Sequence, residues 1–251
     1  MKGTSISVDR VLQKLDAYLH KNDYAGAERH LLYWLAEARA LENMSASLTI
    51  YNELMGLYRK LGRREEALDA VRAALATIED AGICEQVGAA TTRLNAATVY
   101  KAFGMAKDAL PLFEAARATY ERALDGKDAR LAGLYNNMAL SLVDLTRYGE
   151  AAALYARAIT VLEAGGGGEL EIAITYLNMA SAKESELGLL EASEEIEALL
   201  TRARGLLEGC QKRDGYYAFV CEKCASVFGY YGHFAYEADL LERAKKIYEG
   251  S

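Results

Sequence analysis

Six polar side chains recur at one register of this 251-residue chain: Gln13, Glu53, Asn95, Asn137, Asn178 and Lys223. Asn52 and Asn136 stand beside that column. A primary amide offers both a donor and an acceptor, the complement of an extended peptide backbone. The chemistry implied is recognition by hydrogen bonding rather than bond making. Each such bond contributes about 0.5–1.5 kcal/mol net, so the asparagines alone would hold a peptide weakly. The competing reading is that the amides bond to neighbouring elements and order the fold, because buried polar groups are usually satisfied internally. Charges of both signs flank the column, Asp16, Glu53, Asp144 and Glu184 against Lys60, Lys101 and Lys223.

Other residue types that carry chemistry fall away on spacing. Cys221 and Cys224 form a C-x-x-C with Cys210 and His233 nearby, which raises zinc or redox chemistry. No second C-x-x-C lies at ligand spacing, and the pair occupies an apolar helical register, so core packing is expected. Cys84 stands alone. His20, His30 and His233 share no register and have no Ser or Cys placed consistently beside them, so no catalytic triad is read. Gly165–Gly168 lacks the strand and the Gly-Lys-Ser/Thr of a phosphate loop and reads as a linker. Glu65–Glu66 and Glu194–Glu195 read as solvated helix faces. The expectation is a non-enzyme with no catalytic residue, no metal site and no cofactor.

Bulk composition narrows the partners. A net charge of −7 opposes binding to nucleic acid and mildly favours basic partners. With 52% hydrophobic and 26% charged residues, the chain is an ordinary folded one. No apolar run is long enough for a membrane span or a signal peptide, so a cytoplasmic protein without membrane contact is expected. Residues 216–236 carry eight aromatics, from Tyr216 to Tyr236. They read as core filling with Tyr hydroxyls at the surface, against the competing reading of a homodimer through the C-terminal hairpin.

The elements that must position these residues repeat. The fragments beginning at Leu54, Ala96 and Met138 share a loop residue (Gly62, Gly104, Thr146), then Ala67, Ala109 or Ala151, then Val71, Phe113 or Tyr155, then Ala74, Ala116 or Ala158. The small position recurs at Ala27, Ala67, Ala109, Ala151 and Ala192, with Glu237 last, a period of roughly 40–45 residues that marks a stacked repeat. Within each unit the apolar residues recur three and four apart, as in a helix. Tyr135, Met138, Ala139 and Leu142 face Ala151, Leu154, Tyr155, Ala158 and Ile159 across a short turn. The outer units keep Tyr18, Leu31 and Trp34 at one end and Cys224, Ala225, Phe228, Gly232, Leu241 and Ala244 at the other. The fifth carries Lys183 where others have an aromatic or Leu. One hairpin cannot bury its apolar stripe, so stacking must supply the core. Helix geometry turns the polar column away from the second helix of each hairpin.

This pattern resembles the tetratricopeptide repeat, with units about eight residues longer than the common 34. Such units are similar to those of kinesin light chains and bacterial peptide-sensing repeat proteins. The proline that usually closes the second helix is missing, so that helix can run on, while Pro111 sits a turn into a second helix and should cost a backbone bond unless the helix starts late. The resemblance implies an all-α, right-handed superhelical solenoid of six antiparallel hairpins in one domain. Units are expected near 8–47, 48–89, 90–131, 132–172, 173–214 and 215–249. It places the column in a concave groove that binds an extended peptide or protein segment. Apart from Lys101 one turn away, no Lys or Arg stands beside Asn95, Asn137 and Asn178 as a carboxylate clamp requires, so an internal, basic segment is the better fit. The leading expectation is a protein–protein interaction scaffold. Its alternatives are a peptide-sensing regulator that switches a partner and a homodimeric structural adaptor. With the first repeat beginning near Val8, no N-terminal effector domain is expected.

Overall fold

The computed structural model describes residues 6–250. Among them the only regular elements are twelve α-helices, paired as six antiparallel hairpins. These are α1 (Val8–Leu19) with α2 (Tyr24–Ala40), α3 (Met44–Lys60) with α4 (Arg64–Asp80), and α5 (Val87–Ala102) with α6 (Ala106–Ala123). They continue as α7 (Ala129–Asp144) with α8 (Tyr148–Gly165), α9 (Glu169–Leu187) with α10 (Ser193–Gly209), and α11 (Gly215–Tyr230) with α12 (Phe234–Glu249). The chain divides into two compact units, one through Ala123 holding α1–α6 and one from Leu124 holding α7–α12. No described helix is long and apolar enough to cross a membrane.

The turns explain why short connections suffice. After α3, Gly62 adopts a left-handed φ of 69°, Gly62 N–H donates to the Arg59 carbonyl at 3.2 Å, and Arg63 N–H donates to the Tyr58 carbonyl at 2.9 Å. Those two bonds satisfy carbonyls that the helix end would otherwise orphan. The same left-handed position falls at Thr146 with φ 58°, where Arg147 N–H reaches the Leu142 carbonyl at 2.8 Å. The loop residues picked out by the repeat are thus the residues that must take positive φ.

Apart from the 12-residue α1, first and second helices alike run 16–19 residues, and the lengthened unit is shared between them. Pro111 lies inside α6, which opens at Ala106 and does not start late. Pro111 is exposed, and it leaves the carbonyl four residues back without its helical donor.

In each unit the small residues sit at helix crossings and larger ones fill the layer above. Ala67 and Ala109 are fully buried with Val71 and Phe113 in the first unit, as are Ala151 and Ala192 with Tyr155 and Ile196 in the second. Burying one such large side chain contributes about 1.5–3 kcal/mol. Two sequence expectations change in the last hairpin. Leu240, not Leu241, enters the core, leaving Leu241 46% exposed. Glu237 is tolerated at the small position because Gly229 on α11 has no Cβ; a Cβ there would lie within 2.5 Å of the glutamate carboxyl atoms. In the fifth hairpin Lys183 bridges Glu186 at 3.1 Å and Glu195 at 3.4 Å, which keeps its ammonium outside the core.

Candidate functional site

Each unit carries a cleft lined by its first helices. In the second unit a cleft of about 320 Å³ has an apolar floor from Leu140, Ile174, Leu177 and Val227 on α7, α9 and α11. Its polar lining comes from Asn136, Asn137, Glu171, Asn178 and Lys223. In the first unit a cleft of about 580 Å³ lies between α3 and α5, lined among others by Leu48, Thr49, Asn52, Glu53, Thr91, Thr92 and Asn95. The sequence column therefore divides. Asn137, Asn178 and Lys223 come together in one cleft and Glu53 and Asn95 in the other, each beside its flanking Asn136 or Asn52. Gln13 is exposed on α1 and lines neither.

The flanking asparagines form one repeated tie. Asn52 Nδ2 donates to Thr92 Oγ1 at 3.2 Å, and Asn136 Nδ2 donates to Thr175 Oγ1 at 2.8 Å. Each threonine gives its own hydroxyl proton to the carbonyl one turn back, Thr92 to Gly88 and Thr175 to Glu171. With that proton committed, the threonine oxygen can only accept, so each asparagine must present its N–H side and turn its carbonyl elsewhere. Both asparagine Oδ1 atoms are buried without a hydrogen-bond partner among the described residues. These two ties link neighbouring first helices, α3 to α5 and α7 to α9. Asn137 Nδ2 donates to the Gly133 carbonyl of its own helix at 2.8 Å, and its oxygen makes no hydrogen bond among the described residues.

The acids in the two clefts differ. Glu171 accepts the Tyr216 hydroxyl from α11 at 2.8 Å. Further along α9, Glu184 accepts both Tyr230 at 2.6 Å and Tyr231 at 2.8 Å. Burial, and then the Glu184 contact, pushes the Tyr231 hydroxyl above its ordinary range. Glu53 makes no hydrogen bond or ion pair among the described residues, and burial together with the nearby Asp16 raises its carboxyl above the ordinary 4.5. Lys60, near the column in sequence, places its ammonium over the Tyr24 ring at 5.0 Å. Lys223 lies over Phe219 at 5.3 Å.

The threonines and the tyrosine–glutamate pairs are the working residues that reading the sequence missed. Thr92 and Thr175 stand three residues before column positions, and the tyrosines follow their glutamates by 45–47 residues, about one repeat. That spacing is the signal that could have found them.

The cysteine pair lies in the core. Cys221 and Cys224 are buried free thiols, and burial pushes Cys224 up to about 12. Among the described residues no three His, Cys, Asp or Glu side chains gather as metal ligands would. The eight aromatics split: Tyr217 and Phe228 are buried, while Tyr216, Phe219, Tyr230 and Phe234 are exposed.

Comparisons with known proteins agree with this architecture. Residues 46–122 match the tetratricopeptide repeat family model. The fold is similar to BtubC (BKLC) from P. vanneervenii, with a TM-score of 0.69 at 22% identity over 82% of each chain. It is similar to a putative kinesin light chain of Podosopora anserina with TPR-like repeats, with a TM-score of 0.57 at 18% identity over 82% of this chain and 96% of that one. A Rap protein complexed with competence and sporulation factor gives a TM-score of 0.63 at 15% identity over 98% of this chain and 66% of that one. At these identities the likeness is one of fold. A search of curated proteins finds no match.

Proposed function

We propose, from the premise that this chain carries tetratricopeptide repeats, that it is a non-catalytic scaffold whose first-helix faces hold an extended peptide or protein segment. The observation that carries this reading is the second-unit cleft, where Asn137, Asn178 and Lys223 stand over an apolar floor. An apolar cleft with a few convergent polar groups is the common form of a binding site. Asn178 makes no side-chain hydrogen bond among the described residues and leaves a complete donor–acceptor pair for a partner's backbone. The Rap protein of similar fold is complexed with competence and sporulation factor, which supports a bound partner as the use of this fold. The chain's net charge of −7 favours a segment with basic residues.

Affinity capture with the wild-type chain, followed by titration of the captured segment as a synthetic peptide, tests the reading. Asn178→Ala should weaken the titrated affinity about twofold to tenfold, the loss of one or two net hydrogen bonds. Unchanged affinity in both Asn137→Ala and Asn178→Ala would overturn it.

A homodimer through the C-terminal hairpin is a second reading, favoured by one stripe. Phe234, Leu241 and Tyr248, one heptad apart on α12, are 70%, 46% and 47% exposed. The equivalent Tyr155 and Leu162 on α8 are only 1% and 4% exposed, packed within the stack. Light scattering on the wild-type chain and on Leu241→Glu decides it. A dimeric mass that falls to that of a monomer in the variant supports the reading, and a monomeric wild type ends it.

A further inference from the structure

The first-unit cleft sets an acid without a partner among hydroxyls and amides. Three threonines line it, and each spends its hydroxyl proton on its own helix: Thr49 on the Ser45 carbonyl at 3.0 Å, Thr91 on Val87 at 3.1 Å and Thr92 on Gly88 at 3.2 Å. Thr92 in turn accepts from Asn52 Nδ2 at 3.2 Å and Thr91 shares a 2.6 Å bond with the Tyr120 hydroxyl, so of the three only Thr49 keeps unmatched lone pairs. Asn52, with its N–H committed to Thr92, adds a buried carbonyl oxygen without a partner. Glu53 adds a half-buried carboxylate that feels another acid, Asp16 on α1. No lysine or arginine is among the residues lining the cleft.

A buried carboxylate without a cation is costly, because desolvation is not offset by an opposite charge. A cleft that holds such a carboxylate with no cation in its lining is complementary to a cationic ligand rich in donors. The guanidinium fits that description, a planar cation with five N–H donors and no acceptor. We propose that the cleft between α3 and α5 receives a cationic side chain of the bound segment, an arginine before a lysine, on Glu53. This rests on the reading of the first-helix faces as a peptide-binding surface and adds the chemistry of one subsite.

The subsite separates from the general reading by experiment. The probes are blocked pentapeptides, acetyl-Ala-Ala-X-Ala-Ala-amide, with X as arginine, lysine, citrulline or glutamate, added to the isotope-labelled full chain and followed by NMR. Citrulline keeps the shape of arginine and removes the charge. The expected result is that the arginine peptide shifts amides of α3 and α5, binding at least about tenfold more tightly than the citrulline peptide, as one charge-assisted hydrogen-bonded contact implies. Glu53→Gln should abolish most of that preference while circular dichroism remains that of the wild type. Glu53→Asp, which keeps the charge, should retain part of it. Equal binding of the arginine and citrulline peptides at α3 and α5 overturns the subsite and leaves the peptide surface standing. So does an arginine preference that Glu53→Gln does not change. Peptides that shift neither these helices nor α7, α9 and α11 overturn both.

Discussion

The two clefts are built from the same parts and settle their charges in opposite ways. Each has an asparagine tied to a threonine on the next first helix, Asn52 to Thr92 and Asn136 to Thr175. Each leaves the asparagine oxygen buried and unmatched. In the second unit the acid, Glu171, is answered by Tyr216, and Lys223 supplies a cation in the same cleft. In the first unit Glu53 has neither. The difference teaches that the repeat fixes where a polar residue stands, whereas the neighbouring hairpin decides whether that residue is structural or available. A column read as one feature along the chain is two different chemical surfaces.

The largest effect should come from breaking the shared tie. Thr92→Val and Thr175→Val remove a fully buried hydroxyl and leave the asparagine N–H without its acceptor, so each should cost about 1–3 kcal/mol in denaturant unfolding. If the ties are equivalent, the two losses will be similar. Pairing Thr92→Val with Asn52→Leu, and Thr175→Val with Asn136→Leu, should recover much of each loss, since both partners are then apolar.

The turns offer a smaller contrast. Gly62 and Thr146 fill the same left-handed position, and a branched side chain there is strained by about 1 kcal/mol or more. Thr146→Gly should therefore stabilise the second unit by about 1 kcal/mol or less, and Gly62→Thr should destabilise the first by a comparable amount, both read from thermal unfolding.

The smallest effect distinguishes the two acids. The Glu53 carboxyl is raised above 4.5 in the folded chain, so the folded state holds that proton more tightly than the unfolded one. Its contribution is fullest below 4.5, declines as pH rises through the window up to the raised value, and is flat above it. Glu53→Gln should remove that slope and leave the protein more stable at neutral pH. Glu171→Gln should give a slight loss, because Tyr216 then donates to an uncharged oxygen. Unfolding curves at several pH values check both, and a matching sign in the two variants would break the contrast.

Much of the frame was legible in one dimension. Helical spacing gave the pairing of Met138 and Leu142 with Ala151 and Tyr155, and the loop residues proved to be those with positive φ. The polar column was visible as well, but its roles were not. Whether Asn52 faces a partner or a neighbour depends on Thr92 lying opposite it, and whether Thr92 can accept depends on where its proton points. Both are properties of packed helices rather than of spacing. Lys60 flanks the column in sequence, whereas in the fold its ammonium lies over Tyr24. Leu241 followed the repeat in sequence and departed from it in space, because among the described residues no further hairpin packs on α12.

The buried thiols carry a consequence for how the molecule can be watched. Cys84 and Cys210 are partly exposed free thiols, so a disulfide reagent can reach them in the native state. Cys221 and Cys224 are sealed and held protonated, and the thiolate is the reactive form. Their labelling must wait for α11 to come away from its neighbours, so its rate reports that opening alone. The chain thus carries an internal clock for its last hairpin, and a ligand seated against Lys223 should slow it.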